Sequence, residues 1–198
     1  MTTFSTVPAG NWSLNEAHLG PDDLVAHCLV GEELAYTALY QQFAAFIYRL
    51  NYGLLQNRED AEEVLQDTFE YAFRKLAQFD PGKSSFKTWL YRIAISRCHN
   101  KRRRKWLPTL SLQSLFSDTT PDHDSESPDE LLTLDARQKA VWQALSQLSP
   151  KLRETAILRY YEELSYVEIG QILDIPPKTA ESRMRLAHKS LQELLADL

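Results

Sequence analysis

Apolar residues recur at helical spacing along most of the chain, and this periodicity constrains the fold more than any other feature. Only 6 of the 198 residues are glycine, and the alternation of apolar and polar residues that marks β-strands is hard to find. Three such patterns precede residue 106, with the turn Asp80-Pro81-Gly82 before the third. Their apolar positions are Leu39, Phe43, Phe46, Ile47 and Leu50; Val64, Leu65, Thr68, Phe69, Ala72, Phe73 and Leu76; and Phe86, Trp89, Leu90, Ile93 and Ala94. The periodicity predicts an all-α protein whose first three or four helices form a small bundle.

The composition fits a folded domain protein with no disulfide framework. Apolar residues make up 43% of the chain and charged residues 25%, which is typical of a globular protein. The two cysteines, Cys28 and Cys98, lie far apart, so we expect buried thiols and a reducing compartment. The N-terminus lacks a basic start and an apolar run, and no stretch reaches the length of a membrane span. These features predict a cytoplasmic protein.

Charge is distributed in blocks along the chain. The formal net charge is −5, which by itself argues against a general nucleic-acid coat protein. Residues 1–80 carry 12 acidic and 4 basic side chains, whereas residues 81–117 carry 9 basic and none acidic. Residues 118–135 carry 7 acidic side chains and none basic. The blocks indicate separate surfaces with separate partners, although a solvated basic helix followed by an acidic loop would give the same pattern.

A change in composition divides the chain into two helical parts. Residues 107–127 lose the periodicity and are rich in Ser, Thr, Asp and Pro, which is typical of a linker. Residues 127–130 read Ser-Pro-Asp-Glu, a helix start, and Leu131, Leu134, Val141, Leu145 and Leu148 continue that helix. We therefore predict a flexible tail over residues 1–21, a helical domain over 22–106, a flexible acidic linker over 107–127 and a second helical domain over 128–198.

The strongest local pattern is a helix-turn-helix near the C-terminus. Residues 165–168 read Ser-Tyr-Val-Glu, a capping box, with Leu164 and Ile169 as the hydrophobic staple. The helix is predicted to end near Leu173, and Pro177 can open a second, longer helix. The second helix has an inward stripe of Ala180, Met184, Ala187 and Leu191. Polar side chains on its other face suit phosphates and base edges in a major groove, although an ordinary helical hairpin would show a solvated face too.

The third helix interleaves aromatic and basic residues. Rings that stack on bases, together with cations that follow the backbone, are how proteins hold single-stranded nucleic acid. Trp89 could equally belong to the core, whereas Arg102, Arg103 and Arg104 have no acidic neighbours in the sequence. The helix therefore favours a nucleic-acid surface.

With these three segments in view, the chain resembles bacterial RNA polymerase sigma factors of the extracytoplasmic-function (ECF) type, in the sigma-seventy superfamily. Residues 57–69 are similar to the family's second-region helix, residues 86–94 to its melting segment, and residues 164–189 to its fourth-region helix-turn-helix. The resemblance covers about residues 22–106 and 128–196. It implies a specificity subunit, with no catalysis, cofactor or metal of its own, that directs core polymerase to promoters. The acidic linker is expected to thread toward the polymerase active-site and RNA-exit path.

The resemblance also implies partners and contact residues. The partners are promoter DNA and core RNA polymerase, through the clamp coiled coil of its largest subunit and the flap of its second-largest, and the family makes an anti-sigma factor plausible. The implied polymerase contacts are Asp60, Glu62, Glu63, Gln66, Asp67 and Phe69. The implied minus-ten contacts are Phe86, Lys87, Trp89, Tyr91, Arg92, Ser96, Arg97, Asn100, Lys101, Arg102, Arg103 and Arg104. The implied minus-thirty-five contacts are Lys178, Thr179, Glu181, Ser182, Arg183, Arg185, His188 and Lys189.

The chain departs from the family pattern at a few positions. Ser96 and Asn100 stand where the melting helix often has Asn and Asp, which leaves the bases read there open. Lys178 and Glu181 stand where the recognition helix often has Gly and a basic residue. A carboxylate accepts from cytosine N4, so Glu181 either helps to specify sequence or weakens binding by repulsion. Asp174 replaces a common turn glycine and tolerates the left-handed region.

Two other functional hypotheses are compatible with some of the same residues. One is a stand-alone helix-turn-helix regulator whose N-terminal bundle dimerises or senses a signal, but such a module does not need the basic segment that ends at Lys105. The other is a protein-interaction module such as an antagonist mimic, which does not explain the basic residues of the recognition helix. A metal site of His27, Cys28, Cys98 and His99 lacks the usual zinc spacing.

Overall fold

A computed structural model describes residues 19–106 and 136–196, with side chains over 19–104 and 140–196. The described residues form helices and no strand, as the periodicity predicted. The helices, numbered here in chain order, are α1 Pro21–Leu29, α2 Glu33–Leu55, α3 Arg58–Arg74, a 3-10 turn Leu76–Gln78, α4 Phe86–Trp106, α5 Ala136–Gln147, α6 Pro150–Tyr160, α7 Tyr166–Leu173 and α8 Pro177–Leu195. The predicted helix start at residues 127–130, and most of the predicted tail and all of the predicted linker, lie outside the described residues.

Helices α1 to α4 pack around a core of apolar side chains. Phe86, at the start of α4, is fully buried with its ring 5.4 Å from that of Phe43. Buried Asn51 donates to the Ala61 carbonyl at 3.4 Å and accepts from the Cys98 thiol at 3.3 Å. Its polar atoms are thus satisfied inside the bundle, as buried amides require. The core lies along the inner faces that the first three patterns predicted.

The two cysteines are buried, as the sequence predicted. Burial raises the pKa of the Cys28 thiol to about 11 and also raises that of Cys98, whose surroundings include Glu154. Because the thiolate is the reactive form, both thiols are held in their unreactive state at neutral pH.

The C-terminal helix-turn-helix has the local structure that the sequence predicted. The Ser165 side chain accepts from the backbone N–H of Glu168, and the Glu168 carboxylate accepts from the Ser165 N–H at 2.8 Å. Asp174 ends α7 in the left-handed region with φ 54°. Pro177 is the first residue of α8. The inward stripe of α8 is buried as expected and comprises Ala180, Met184, Ala187 and Leu191.

The turn depends on a glycine whose importance the sequence did not signal. A Cβ on Gly170 would lie 2.7 Å from the backbone oxygen of Ile175. No flexible side chain can yield at this contact, because the opposing atom belongs to the main chain. Gly170 therefore lets the turn pass close to α7 and sets the angle at which α8 leaves it.

The two helical domains pack against each other, which the periodicity did not indicate. Ile157 and Leu158 of α6 and Ile169 of α7 belong to the same buried cluster as the cores of α2 and α4. A Cβ on Gly53 of α2 would lie 2.6 Å from Ile157 Cδ1, so the two helices approach closely there. A second cluster, between α5, α6 and α8, holds the remaining apolar side chains of the C-terminal domain.

One residue of the α2 pattern does not lie in the core. Phe46 is 39% exposed, and the Arg49 guanidinium lies 4.7 Å from its ring centroid. Within the described ranges, no helix combines the length and the apolar character needed to cross a membrane.

Candidate nucleic-acid interface

The outer face of α8 presents polar and charged side chains from its first turn onward. Exposed positions are Lys178, Glu181, Arg185, His188 and Lys189, and half-buried ones are Thr179, Ser182 and Arg183. All eight predicted minus-thirty-five residues therefore lie on the part of α8 that the core does not cover. Lys189 lies 3.9 Å from Glu193 one turn later, so part of its charge is compensated within the helix. A basic helix held by a capped partner helix suits insertion into a major groove.

Helix α4 divides its predicted minus-ten residues between the surface and the core. The exposed residues are Arg92, Ser96, Arg103 and Arg104, and the half-buried ones are Lys87, Trp89, Arg97, Asn100, Lys101 and Arg102. Phe86 and Tyr91 are fully buried. Trp89 packs beside Phe79 and Phe86, with ring centroids 5.5 and 5.8 Å away. The accessible surface of α4 is therefore mainly cationic, with the edge of Trp89 as its aromatic part.

Tyr91 is fully buried, and the C-terminal domain contacts it. Its hydroxyl donates to a carboxylate oxygen of Glu162, in the connection between α6 and α7. Lys87, one turn earlier, lies 3.8 Å from the same carboxylate oxygen. The other carboxylate oxygen, Oε1, is buried without a hydrogen-bond partner among the described residues. Burial raises the pKa of Glu162 despite the hydrogen bond from Tyr91 and the charges of Lys87 and Arg49.

A second polar contact joins the domains further along α4. His99 lies 2.7 Å from Oε1 of Glu154 in α6, and the Glu154 side chain is only 6% exposed. Nearby, a cavity of about 460 Å³ lies between α4 and the C-terminal domain. Its lining includes Arg92, Ser96 and Arg102 from α4 and Arg183 from α8. Residues predicted to read two separate promoter elements thus face one small cavity.

The predicted polymerase-binding helix, α3, has an acidic outer face. Glu62, Glu63 and Gln66 are exposed, Asp67 is half-buried and Asp60 is 8% exposed. Phe69 faces the core, where its ring centroid lies 4.8 Å from that of Tyr40. Phe69 therefore supports the helix from inside and adds nothing to its surface.

Lys101 connects the acidic face of α3 to the basic helix α4. Its ammonium lies 3.3 Å from Asp60 and 2.5 Å from Glu63. Burial alone would lower the pKa of Lys101, but the hydrogen bonds and charges of Glu63 and Asp60 raise it overall. The basic cluster had no acidic neighbours in the sequence, and the fold supplies them from another helix.

Sequence reasoning missed Glu162, Glu154 and Gly53, which hold the two domains together. A lone glutamate in a short connection has no local pattern that marks it as buried. One signal in the sequence could have indicated this contact. Ile157 and Leu158 are adjacent apolar residues, so they point to different sides of α6 and a single core cannot bury both. Among the described residues, no group of His, Cys, Asp and Glu is placed to hold a metal ion.

A capped helix-turn-helix with an exposed polar face, together with a separate cationic helix, is typical of DNA-binding proteins. Residues 39–107 match the family Sigma-70 region 2, and residues 138–191 match the family Sigma-70, region 4. The ECF RNA polymerase sigma factor SigW of Bacillus subtilis (strain 168) is 30% identical over 174 residues, which cover 85% of this chain and 92% of that protein. RNA polymerase sigma-H factor of Pseudomonas aeruginosa is 31% identical over 181 residues, which cover 88% and 93%.

Solved structures agree with these matches. The sigma factor RpoE from Bartonella quintana, in a co-crystal with the anti-sigma factor NepR, is 25% identical with a TM-score of 0.63. That match covers 79% of this chain and 94% of the RpoE chain. CnrH, solved with the cytosolic domain of CnrY, shares the fold with a TM-score of 0.65 at 22% identity.

The chain belongs to the ECF RNA polymerase sigma factors. It is therefore a transcription initiation factor that binds core RNA polymerase and directs it to promoter DNA. This membership confirms the family resemblance seen in residues 57–69, 86–94 and 164–189. It argues against the alternative hypothesis that the chain is a stand-alone helix-turn-helix regulator.

Proposed function

We propose that the chain opens its promoters by dividing the work between α4, which holds the unpaired minus-ten strand, and α8, which reads the minus-thirty-five duplex. The observation that carries this proposal is the placement of two separate cationic surfaces on two domains of one chain. In this proposal the N-terminal domain extends over residues 22–106 and the C-terminal domain over 128–198. The chain performs no catalysis itself and acts in the cytoplasm, where polymerase is.

Duplex reading is assigned to the exposed side of α8. Lys178 and Arg185 are exposed cations on the first three turns, where a recognition helix meets base edges and phosphates. Glu181 lies between them, and its carboxylate suits the amino group of a cytosine. A groove beside α8 that includes Arg159 and Tyr166 offers further contacts to the flanking backbone.

Single-strand capture is assigned to the accessible part of α4. Arg92, Arg103 and Arg104 are exposed along α4 and suit contacts to backbone phosphates, while the half-buried Trp89 offers a ring edge one turn before Arg92. Phe86 is left out of the contact set because it is a core residue. An extruded base costs a few kcal/mol to unstack, which stacking and a pocket recover.

Polymerase binding is assigned to the outer face of α3. Glu62, Glu63 and Gln66 are exposed there, and they form an acidic and polar stripe suited to the clamp coiled coil. The C-terminal domain is assigned to the flap of the second-largest subunit. An apolar groove lined by Val141, Leu145 and Leu191 among others is the surface that suits that contact.

The test is reconstitution of transcription. Purified full-length chain and core polymerase are combined with promoter fragments selected from random DNA, and opening is followed by permanganate reactivity of unpaired thymines. We expect opening and run-off transcript only when chain and polymerase are both present. Specific, tight binding of duplex by the chain alone, with no association with polymerase, would contradict the proposal and favour a stand-alone regulator.

The residue assignments are tested with two variants of the chain, one with a single substitution in α8 and the other with a single substitution in α4. Arg185→Ala should weaken promoter binding by about 1 to 3 kcal/mol if it contacts a base, with the loss confined to one promoter position. Arg104→Ala should slow opening without changing which minus-thirty-five sequences are selected. The assignment is wrong if Arg104→Ala changes duplex selection and Arg185→Ala does not.

A further inference from the structure

We propose that the cavity lined by α4, α6, α7 and α8 is a binding site for a small polyphosphorylated ligand, a nucleoside di- or triphosphate. Its volume of about 460 Å³ lies within the range of about 300 to 1,000 Å³ that is typical of small-molecule sites. The proposal goes beyond the proposed function, because the ligand is a small molecule and not promoter DNA.

The lining of the cavity is cationic. Arg92 and Arg102 of α4, Lys151 of α6 and Arg183 of α8 all face it. Among the described residues, none of these four side chains forms an ion pair or a side-chain hydrogen bond. By contrast, the half-buried Lys101 lies between two carboxylates of α3. The four positive charges therefore repel one another without compensation, and an anion in the cavity would relieve that repulsion.

Two carboxylates also line the cavity, and they do not neutralise it. Oε1 of Glu154 lies 2.7 Å from Nε2 of His99 and is therefore engaged by a residue of the lining itself. Asp174 is exposed in the turn between α7 and α8. The cations outnumber the carboxylates by four to two, even with His99 counted as neutral.

The spacing of the cations indicates an elongated anion. Arg92 and Arg102 are ten positions apart on α4, which is about 15 Å along the helix axis. A single phosphate can contact one of these guanidinium groups but cannot reach both. A chain of two or three phosphates can lie between the two long side chains, and each guanidinium fork matches the oxygens of one phosphate.

The start of α6 adds to the positive field. Pro150, the first residue of α6, lines the cavity, and the first turn of this helix holds no acidic residue. Ser149 makes no side-chain cap hydrogen bond, and Lys151 places a cation at the positive end of the helix dipole. A bound phosphate stabilises this arrangement, which otherwise brings like charges together.

An apolar part of the lining suits the nucleoside. Ile95, Ile172 and Leu173 line the cavity beside Pro150. Ile95 and Ile172 are each 4% exposed, so they form the floor of the cavity and not its rim. The faces of a base and a sugar can pack against this floor, whereas an inorganic phosphate chain has no apolar surface. The cavity should therefore prefer a nucleotide to an inorganic polyphosphate of similar charge.

Isothermal titration calorimetry on the full chain tests the site with ATP, inorganic tripolyphosphate and AMP, without DNA or polymerase. We expect one ATP per chain and weaker binding of tripolyphosphate. AMP should bind about tenfold more weakly than ATP, because its single phosphate meets fewer of the cations. Equal binding of ATP and tripolyphosphate would overturn the assignment of a nucleoside to the apolar lining and leave a site for phosphate chains alone.

Substitutions of opposite sign test the lining. Lys151 is not one of the predicted promoter contacts, and Lys151→Gln should weaken ATP binding about tenfold because a charge-assisted hydrogen bond is lost. Asp174→Asn should tighten binding by about two- to fivefold, because it removes a negative charge and asparagine tolerates the left-handed φ of 54°. The matched control is Lys83→Gln, the same charge change at an exposed lysine outside the cavity, which should leave ATP binding unchanged.

Three results would overturn the proposal. They are no binding at millimolar ATP, several ATP molecules per chain, or equal weakening by Lys151→Gln and Lys83→Gln, and the last two indicate a diffuse basic surface. Circular dichroism confirms that each variant is folded before it is titrated. Because the titrations contain no promoter and no polymerase, their failure leaves the proposed function standing, and failure of promoter opening leaves the ligand site standing.

Discussion

At the scale of single residues, the role of a side chain depends on the helix that faces it. Tyr91 has the chemistry of a base-stacking ring, yet its hydroxyl donates to Glu162 and burial raises its pKa. Lys101 has the chemistry of a phosphate contact, yet its ammonium is held between Asp60 and Glu63. Residue type alone therefore assigns both side chains to DNA, and the fold assigns them first to other partners.

The capping box of α7 makes a testable contribution to stability. We expect Ser165→Ala to lower the free energy of unfolding by about 1 kcal/mol at neutral pH, because the N–H of Glu168 loses its acceptor. Hydrogen bonds from Ser165 hold the pKa of Glu168 below its ordinary 4.5, so this stabilisation is present above that pH and is lost as the pH falls through the lowered pKa. The difference in the free energy of unfolding between the unmodified chain and Ser165→Ala should therefore become smaller at acidic pH.

Urea unfolding at pH 7 and at pH 3 measures that difference. Ser149→Ala is the matched control, since Ser149 precedes α6 as its cap residue but makes no side-chain cap hydrogen bond. It should change stability by less than about 0.5 kcal/mol. Equal losses for the two serines would show that the capping box contributes nothing of its own.

The basic cluster of α4 should divide into a structural and a DNA-facing part. Lys101→Ala should destabilise the fold by about 1 to 2 kcal/mol, between the values for exposed and buried ion pairs, because the largely buried Asp60 and the nearby Glu63 both lose this cation. Arg103→Ala removes an exposed side chain and should leave stability unchanged. It should instead lower the salt dependence of holoenzyme binding to promoter DNA by about one counterion. Thermal unfolding and a salt titration measure the two effects, and an exchange of the two outcomes would refute the division.

At the scale of elements, helices with local signals could be predicted and their outer contacts could not. The bounds of α7 and α8 follow from a capping box, an aspartate in the left-handed region and a proline at the first helical position. These signals act over four or five residues, so a sequence displays them directly. Phe46 and Phe69 show the limit, because both occupy apolar positions of a helical pattern. Phe46 is 39% exposed, whereas Phe69 is in the core. This difference depends on which helices pack beside each ring, and a helical pattern does not contain that information.

The helix-turn-helix angle should depend on Gly170. We expect Gly170→Ala to destabilise the chain by about 1 to 3 kcal/mol, because its Cβ would lie 2.7 Å from a main-chain oxygen. The turn must move to relieve the contact, which tilts α8 relative to α7. Holoenzyme carrying this variant should therefore lose its preference among minus-thirty-five sequences as well as thermal stability. Gly82→Ala is the control, since its Cβ would meet only the side chain of Asp80, at 3.2 Å. Unchanged sequence preference in Gly170→Ala would show that the glycine does not set the reading angle.

At the scale of the whole molecule, the net charge of −5 combines surfaces that face different partners. The acidic residues 1–80, the basic residues 81–117, the acidic residues 118–135 and the mixed residues 136–198 together give that value. The charge blocks and the division into domains could be read from the sequence because each is a property of a continuous segment. The contact between the domains could not, since it joins residues such as Gly53 and Ile157 that lie about a hundred positions apart.

Locking the domains together should abolish function reversibly. A Cβ on Gly53 would lie 3.4 Å from Ile157 Cγ1, so Gly53→Cys with Ile157→Cys brings two sulfurs within reach of a disulfide. The oxidised chain keeps Arg102 of α4 and Arg183 of α8 beside one cavity, so the two helices cannot reach separate promoter elements, and we expect it to support no open complex with polymerase. Reduction should restore opening to the level of the two single-cysteine chains, which control for the loss of the Ile157 side chain and remain unlocked under either condition. Full activity of the oxidised chain, with the disulfide verified by mass spectrometry, would show that the packed arrangement of the two domains is compatible with promoter opening.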